Sequence, residues 1–195
     1  MTDILNNNIF LIKEHVGIFK AANNYDVYDP GTGNIMMECR EPNLGFITKM
    51  LRFTDYKTNT PFDVQICTPD GQRIVRIERG ISIFVSKVTI SDGEGKSLGY
   101  FQQKLFSIGG KFDIYDNQDR LVCQLQGNWV GWDFRFMDGD NEFAHISKEW
   151  GGIGKELFTS ADNYVLKISA DVPDNHPVRK LILAAVMCID MVLKE

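Results

Sequence analysis

The residue types that most often carry chemistry are few in this chain and stand apart from one another. Its three histidines, His15, His145 and His176, form no pattern with a nucleophile or carboxylate that suggests a catalytic triad or a metal site, and His145 reads as structural. Asp138 and Asp140 are a carboxylate pair of the kind acid–base catalysis uses, but they flank Gly139 in a predicted hairpin turn, where Asp is expected for turn geometry. Gly93–Gly95 and Gly109-Gly110 lack the helix start and the Lys-Ser/Thr pair with which a glycine loop cradles phosphate. The cysteines Cys39, Cys67, Cys123 and Cys188 are widely spaced without a CxxC pair, which predicts reduced core thiols. Trp129 and Trp132, on either side of Gly131, are candidates for an exposed aromatic pair or for packing. No catalytic constellation emerges, and the expectation is a protein that is not an enzyme.

The elements that would position these residues are of two kinds. The chain ends on one apolar run, LILAAVMCIDMVL, which predicts a helix over Pro177–Leu193. Asp174 and Asn175 are its predicted caps, and Pro177 suits a first turn, where its missing N–H costs nothing. From Val178 to Leu193 such a helix covers about 24 Å at ~1.5 Å per residue, short of the roughly 20 apolar residues a membrane span needs. Arg179-Lys180 at its start and Asp190 near its end shorten the apolar part further. A helix apolar on every face is buried on every side, so Leu181, Ile182, Ala184, Ala185 and Ile189 are expected as core.

Before the helix the chain repeats one arrangement five times: an alternating apolar segment, a turn built on Asp with Gly or Asn, and a second alternating segment. The units are YDVYDPGTGNIMME, DVQICTPDGQRIVRIE, KVTISDGEGKSLGYF, FDIYDNQDRLVCQL and DFRFMDGDNEFAHI. Asp70-Gly71, Asp92-Gly93, Asp116-Asn117 and Asp138-Gly139 are dipeptides that tolerate positive φ in hairpin turns. Ten or more strands in such a meander predict a closed antiparallel barrel. Its lumen would be too wide for the wall's own side chains, and the terminal helix is the expected filling. A short second helix is predicted near Asn43–Arg52, where Lys49 and Arg52 flank Leu44, Ile47 and Leu51. It is read as a connecting element or as a weak lipid contact through Lys49 and Arg52.

At 195 residues and 44% hydrophobic content, residues 1–195 are expected to form a single domain with one substantial core. A formal net charge of −5 argues against general nucleic-acid binding, though a local basic patch would still suit a membrane. The first residues have neither the basic start nor the apolar run of a signal peptide, and no glycine at position 2 for myristoylation, so the expected location is cytoplasmic and peripheral at the membrane.

The segment HISKEWGGIGKELFTSADNYVLKI, followed by PVRKLILAAVMCIDMVLKE, closely resembles the C-terminal part of the phospholipid scramblase family. Ile146, Ser147, Lys148 and Trp150 carry the first motif; Gly152, Ile153, Lys155, Glu156, Phe158, Thr159, Ala161, Asp162 and Asn163 carry the second; Ile189-Asp190 completes it in the helix. The upstream hairpin KFDIYDNQDRLVCQLQG also looks like that family's. The family is similar to the Tubby C-terminal and LURP-one-related barrels, which implies a closed barrel of about twelve strands around a central C-terminal helix.

The resemblance also implies a calcium segment, whose counterpart here is Ser160–Asp171. Asp162 and Asp171 remain, but Ser160 replaces the opening Asp, Lys167 stands in the middle, and Tyr164–Ile168 alternates as a strand whose side chains cannot converge on one ion. Calcium is therefore the one cofactor implied, through a degenerate segment. The cysteine cluster, Pro-rich arm and basic import segment seen in the family have no counterpart in this sequence. The expected partners are a membrane phospholipid or another protein, and the preferred reading is a lipid- or membrane-surface binding module. The alternatives are a scramblase that moves phospholipid between leaflets and a soluble protein-interaction barrel without lipid activity.

Overall fold

The computed structural model describes residues 3–15, 24–42, 60–80, 87–103, 112–128, 132–148 and 163–193. A 3-10 turn, Asp3–Asn6, leads into β1 (Ile9–Glu14), β2 (Tyr25–Tyr28), β3 (Ile35–Arg40), β4 (Phe62–Cys67), β5 (Arg73–Arg79) and β6 (Lys87–Asp92). There follow β7 (Ser97–Gln103), β8 (Phe112–Asp116), β9 (Leu121–Asn128), β10 (Asp133–Asp138), β11 (Asn141–Ser147), β12 (Asn163–Ile168) and the helix α1 (Pro177–Leu193). Each strand pairs antiparallel with the next, and β1 also pairs with β12, so that Leu11 faces Tyr28 on one side and Val165 on the other. The twelve strands close into a barrel, which leaves no sheet edge open to another chain.

All five predicted hairpins form, as β2–β3, β4–β5, β6–β7, β8–β9 and β10–β11. Their turn geometry departs from the expectation in two places. Positive φ falls on Gly71 and Gly139 as the Asp-Gly pairs predict, but on Gly95 rather than Gly93, and on Asp119 rather than Asn117. These two turns are longer: Asp92 Oδ1 accepts from the backbone N–H of Glu94 and Lys96, and Asp116 Oδ1 from those of Gln118 and Arg120. The aspartate side chain folds the turn, and the left-handed residue comes three positions later. Gly93 is needed for a different reason: a Cβ there would stand 2.1 Å from the carbonyl oxygen of Arg73.

Strand alternation sends one face into the lumen. Phe62, Val64 and Ile66 of β4 are buried while Asp63, Gln65 and Cys67 are half-buried, and in β10 Phe134 and Phe136 are buried around exposed Arg135. α1 fills that lumen. Val178, Arg179 and every residue from Leu181 to Ile189 are buried, as expected for a helix apolar all round. Each of Leu181, Ile182, Leu183 and Ile189 contributes roughly 1.5–3 kcal/mol by leaving water. A cavity of about 20 Å³ remains where Ala185, Cys188 and Ile189 face Phe101, Phe112 and Ile114.

The helix start also differs from the expectation. Asn175 adopts φ 60° and its N–H donates to Asn6 Oδ1 at 3.0 Å, while Asp174 lies 3.6 Å from the Arg179 guanidinium. The left-handed residue turns the chain so that His176 caps instead, its Nδ1 accepting from the Val178 N–H at 3.2 Å.

Candidate functional site

The meander gives the barrel two unlike ends. The five tight hairpin turns, the entry of β1 and the start of α1 lie at one end; the other receives the connections β1–β2, β3–β4, β5–β6, β7–β8, β9–β10 and β11–β12.

At the tight-turn end the chain is clasped by Arg179, whose side chain is 2% exposed. Its Nε donates to the Pro173 carbonyl at 3.0 Å, Nη1 to the carbonyls of Leu5 and Asn7, both at 3.1 Å, and Nη2 to Val172 O at 2.7 Å and Asn8 Oδ1 at 2.8 Å. All five guanidinium donors are thereby used, mostly on neutral oxygens. Burial holds the guanidinium below its ordinary pKa, and Asp174 offsets part of that. The clasp joins the N-terminal segment, the 169–176 connection and the helix. Beside it a pocket of about 320 Å³ is lined by Lys96, Asp116, Arg120, His176, Val178 and Leu181. Its carboxylates are already engaged, since Arg120 pairs with Asp116 at 2.7 Å and both Asp92 and Asp116 cap their own turns.

At the opposite end Asp26, buried at the start of β2, receives His15 Nε2 at 2.6 Å and Arg40 Nη2 at 2.5 Å. Arg40 also donates to the carbonyls of Tyr25 and Cys39. Burial pushes the Asp26 carboxyl up, but the hydrogen bonds from Arg40 and His15 outweigh it and hold the pKa below the ordinary 3.8. Sequence spacing did not reveal this cluster, nor His145 Nε2 at 3.1 Å from Asp133 Oδ2, because pairing across strands joins residues that are remote along the chain. Neither histidine has a nucleophile beside it among the contacts of the described residues, and no group of three metal-ligating side chains occurs among those residues.

Trp132 belongs to this same end. It precedes β10 at φ 49°, a left-handed backbone that bulky residues rarely hold, and stacks on Tyr164 with 4.8 Å between ring centroids. The exposed Lys148 places its Nζ 4.7 Å from the Trp132 ring and 5.6 Å from that of Tyr164. Trp129, the other half of the predicted pair, lies outside the described residues.

Of the metal candidates, Asp162 lies outside the described residues, and Asp171 is exposed at the tight-turn end within hydrogen-bond reach of Ser169 Oγ. Strand β12 stands between their positions in the chain, a run of about 20 Å at ~3.3 Å per residue, and its Lys167 is exposed. Lys49 and Arg52, with the predicted helix 43–52, also lie outside the described residues. Three of the thiols are core as expected, Cys39, Cys123 and Cys188, and burial pushes the Cys123 pKa up to about 12, whereas Cys67 is half-buried.

A family description reading "Scramblase" matches residues 5–195. The chain belongs to the scramblase family. Phospholipid scramblase 2 of Bos taurus is 25% identical over 150 residues, covering 69% of this chain and 50% of its own length. Human phospholipid scramblase 1 is 24% identical over 150 residues, with 69% of this chain and 46% of its own length covered. The yeast altered inheritance rate of mitochondria protein 25 is 24% identical over 200 residues, at 87% and 61% coverage. The chain thus spans about half the length of the scramblases it matches. An Arabidopsis thaliana protein solved by X-ray shares the fold at TM-score 0.54, with 97% of this chain and 94% of that one aligned at 13% identity.

Proposed function

We propose that this scramblase-family barrel works as a binding module at a phospholipid membrane surface. The observation that carries the reading is the place of α1: its apolar residues from Leu181 to Ile189 are buried in the lumen, so the helix is committed to the core. Among the described residues no helix is long and apolar enough to cross a membrane. The barrel wall has the opposite polarity to a membrane barrel, with Phe134 and Phe136 inside and Arg135 outside, and strands of four to eight residues where a spanning strand needs about 9–11. The phospholipid as partner is taken from the relatives' names and from the cation–aromatic group at Trp132 and Lys148.

Flotation of the purified protein with vesicles of phosphatidylcholine, with and without phosphatidylserine, tests the reading. Co-flotation with lipid is expected, and failure to float with either composition refutes it. The same vesicles carrying a fluorescent lipid separate binding from translocation. Binding without scrambling is expected; scrambling at a rate that follows protein dose would establish the transport reading in its place.

A further inference from the structure

Each of the five tight hairpins carries a β-bulge at its turn end. Pairing passes from Val27 with Met37 to Tyr28 with Ile35, skipping Met36, and in the same way skips Ile74, Leu98, Val122 and Phe143 in the other four. All five skipped residues are apolar, and their strands alternate around the closed barrel, so they ring its tight-turn mouth. Met36 and Ile74 belong to the core, while Leu98, Val122 and Phe143 pack against it and stay partly exposed. The N-terminal segment lies over part of this ring: Asn7 Nδ2 donates to Met36 Sδ at 3.6 Å, and Ile4 and Leu5 pack on the core.

At Leu98 and Val122 the ring opens onto a pocket. These two side chains line the space of about 320 Å³ beside the Arg179 clasp, together with Val178 and Leu181 from the first turns of α1. Val178 and Leu181 are buried and form its floor, whereas Lys96, Arg120 and His176 are exposed at its rim. The pocket is therefore apolar in depth and polar at the edge, and its volume lies within the roughly 300–1,000 Å³ of small-molecule sites. The rim selects the head group. Asp92 and Asp116 balance Lys96 and Arg120, and both carboxylates already hold their own turns, so a charged head finds no net attraction. The His176 ring accepts the Val178 N–H at Nδ1, which leaves the proton of a neutral imidazole on Nε2, as a donor for a ligand oxygen.

We propose that this pocket binds an uncharged single-chain amphiphile, an apolar chain ending in a hydroxyl. The chain lies against Leu98, Val122, Val178 and Leu181, and the hydroxyl meets the His176 imidazole. Burial of the chain against these four side chains supplies the affinity, while the hydroxyl replaces the hydrogen bond that water would otherwise make to the ring. The site stands apart from the membrane-surface reading, because it lies in the barrel mouth and requires no bilayer.

The test is displacement of N-phenylnaphthylamine, an uncharged fluorescent probe of apolar sites, from the full chain without vesicles. The probe is expected to bind, and decanol to displace it at lower concentration than decanoate, offered to Lys96, or decylamine, offered to Asp92. Val122→Trp, which fills the pocket, is expected to weaken probe binding about tenfold or more. Leu98→Ala, which enlarges the pocket, is expected to shift the preference toward longer alcohols. Circular dichroism and melting check the fold of both variants, and the Leu98→Ala result decides if Val122→Trp does not fold. The proposal is overturned if the unmodified chain does not bind the probe, if decanol fails to displace it, or if either charged analogue displaces it first. A folded Val122→Trp chain that binds as the unmodified one does, or an unshifted alcohol preference in Leu98→Ala, overturns it as well, since the probe would then sit elsewhere.

Discussion

Replacing Arg179 with Met keeps much of the side chain's volume and removes the guanidinium, leaving five oxygens of residues 5, 7, 8, 172 and 173 without their donor. A hydrogen bond from a charged donor is worth about 1.5–3 kcal/mol, but the five are not additive, and the variant recovers the cost of burying a charge. Water reaching the barrel mouth satisfies some of the oxygens as well. A buried acceptor left without a donor costs about 1–3 kcal/mol, so with water serving the others two or three orphaned oxygens set an expected loss of about 3–5 kcal/mol. At about 2.1 cal/mol/K of unfolding entropy per residue, a chain of 195 residues loses about 7–12 °C in Tm. Urea denaturation followed by tryptophan fluorescence, together with scanning calorimetry, measures both quantities. Hydrogen exchange adds a local readout: the Ile168 N–H, bonded to Asn8 O at 2.8 Å, should lose protection before the central strands do. A stability loss below about 0.5 kcal/mol would refute the argument, since it would mean that water replaces the guanidinium at no cost.

Three further outcomes follow from the same structure. Ala184 is fully buried in α1, so Ala184→Arg places an unpaired charge in the lumen and should abolish the folded protein, read as loss of soluble yield and of a cooperative melt. Of the four thiols only Cys67 is half-buried, so a maleimide should label at most one cysteine quickly in the native state and all four in urea; rapid labelling of two or more would contradict the burial of Cys39, Cys123 and Cys188. The Asp26 carboxyl is held below its ordinary value, so its stabilisation is present at neutral pH and is lost as pH falls through about 4 and below. Asp26→Asn should therefore melt below the unmodified protein at pH 7 and close the gap toward pH 3, whereas a gap constant with pH would show that ionisation of Asp26 contributes nothing.

The barrel was legible because its signals are local. Each Asp-centred turn between alternating segments specifies a hairpin without reference to the rest of the chain, and a helix apolar on every face such as Leu181–Ile189 has no place except inside. What escaped notice depends on closure. The role of Arg179 as a clasp exists only because the end of β12 and the start of α1 meet the N-terminal segment, more than 160 residues away in sequence. The Asp26 cluster likewise requires β1, β2 and β3 to lie side by side. The cap at His176 was missed for a smaller reason: Asp174 and Asn175 have the better capping side chains, but the positive φ at Asn175 gives the position to the next residue.

Placing the helix in the lumen bears on the proposed function. Withdrawing α1 into a bilayer would return Leu181, Ile182, Leu183 and Ile189 to apolar surroundings, so the helix itself would lose little. The wall would not be compensated. Val27, Met37, Val64, Ile77, Ile114 and Phe136, each fully buried, belong to the single core that includes α1, and the emptied lumen would admit water onto such residues. At roughly 1.5–3 kcal/mol per large apolar side chain these six alone represent about 9–18 kcal/mol, as much as the whole stability of an ordinary domain, about 5–15 kcal/mol. Helix insertion is therefore equivalent to unfolding the barrel, with the Arg179 clasp broken in addition. Under the proposed function an intact barrel would therefore meet a membrane from outside it, through exposed side chains such as Lys148 beside Trp132.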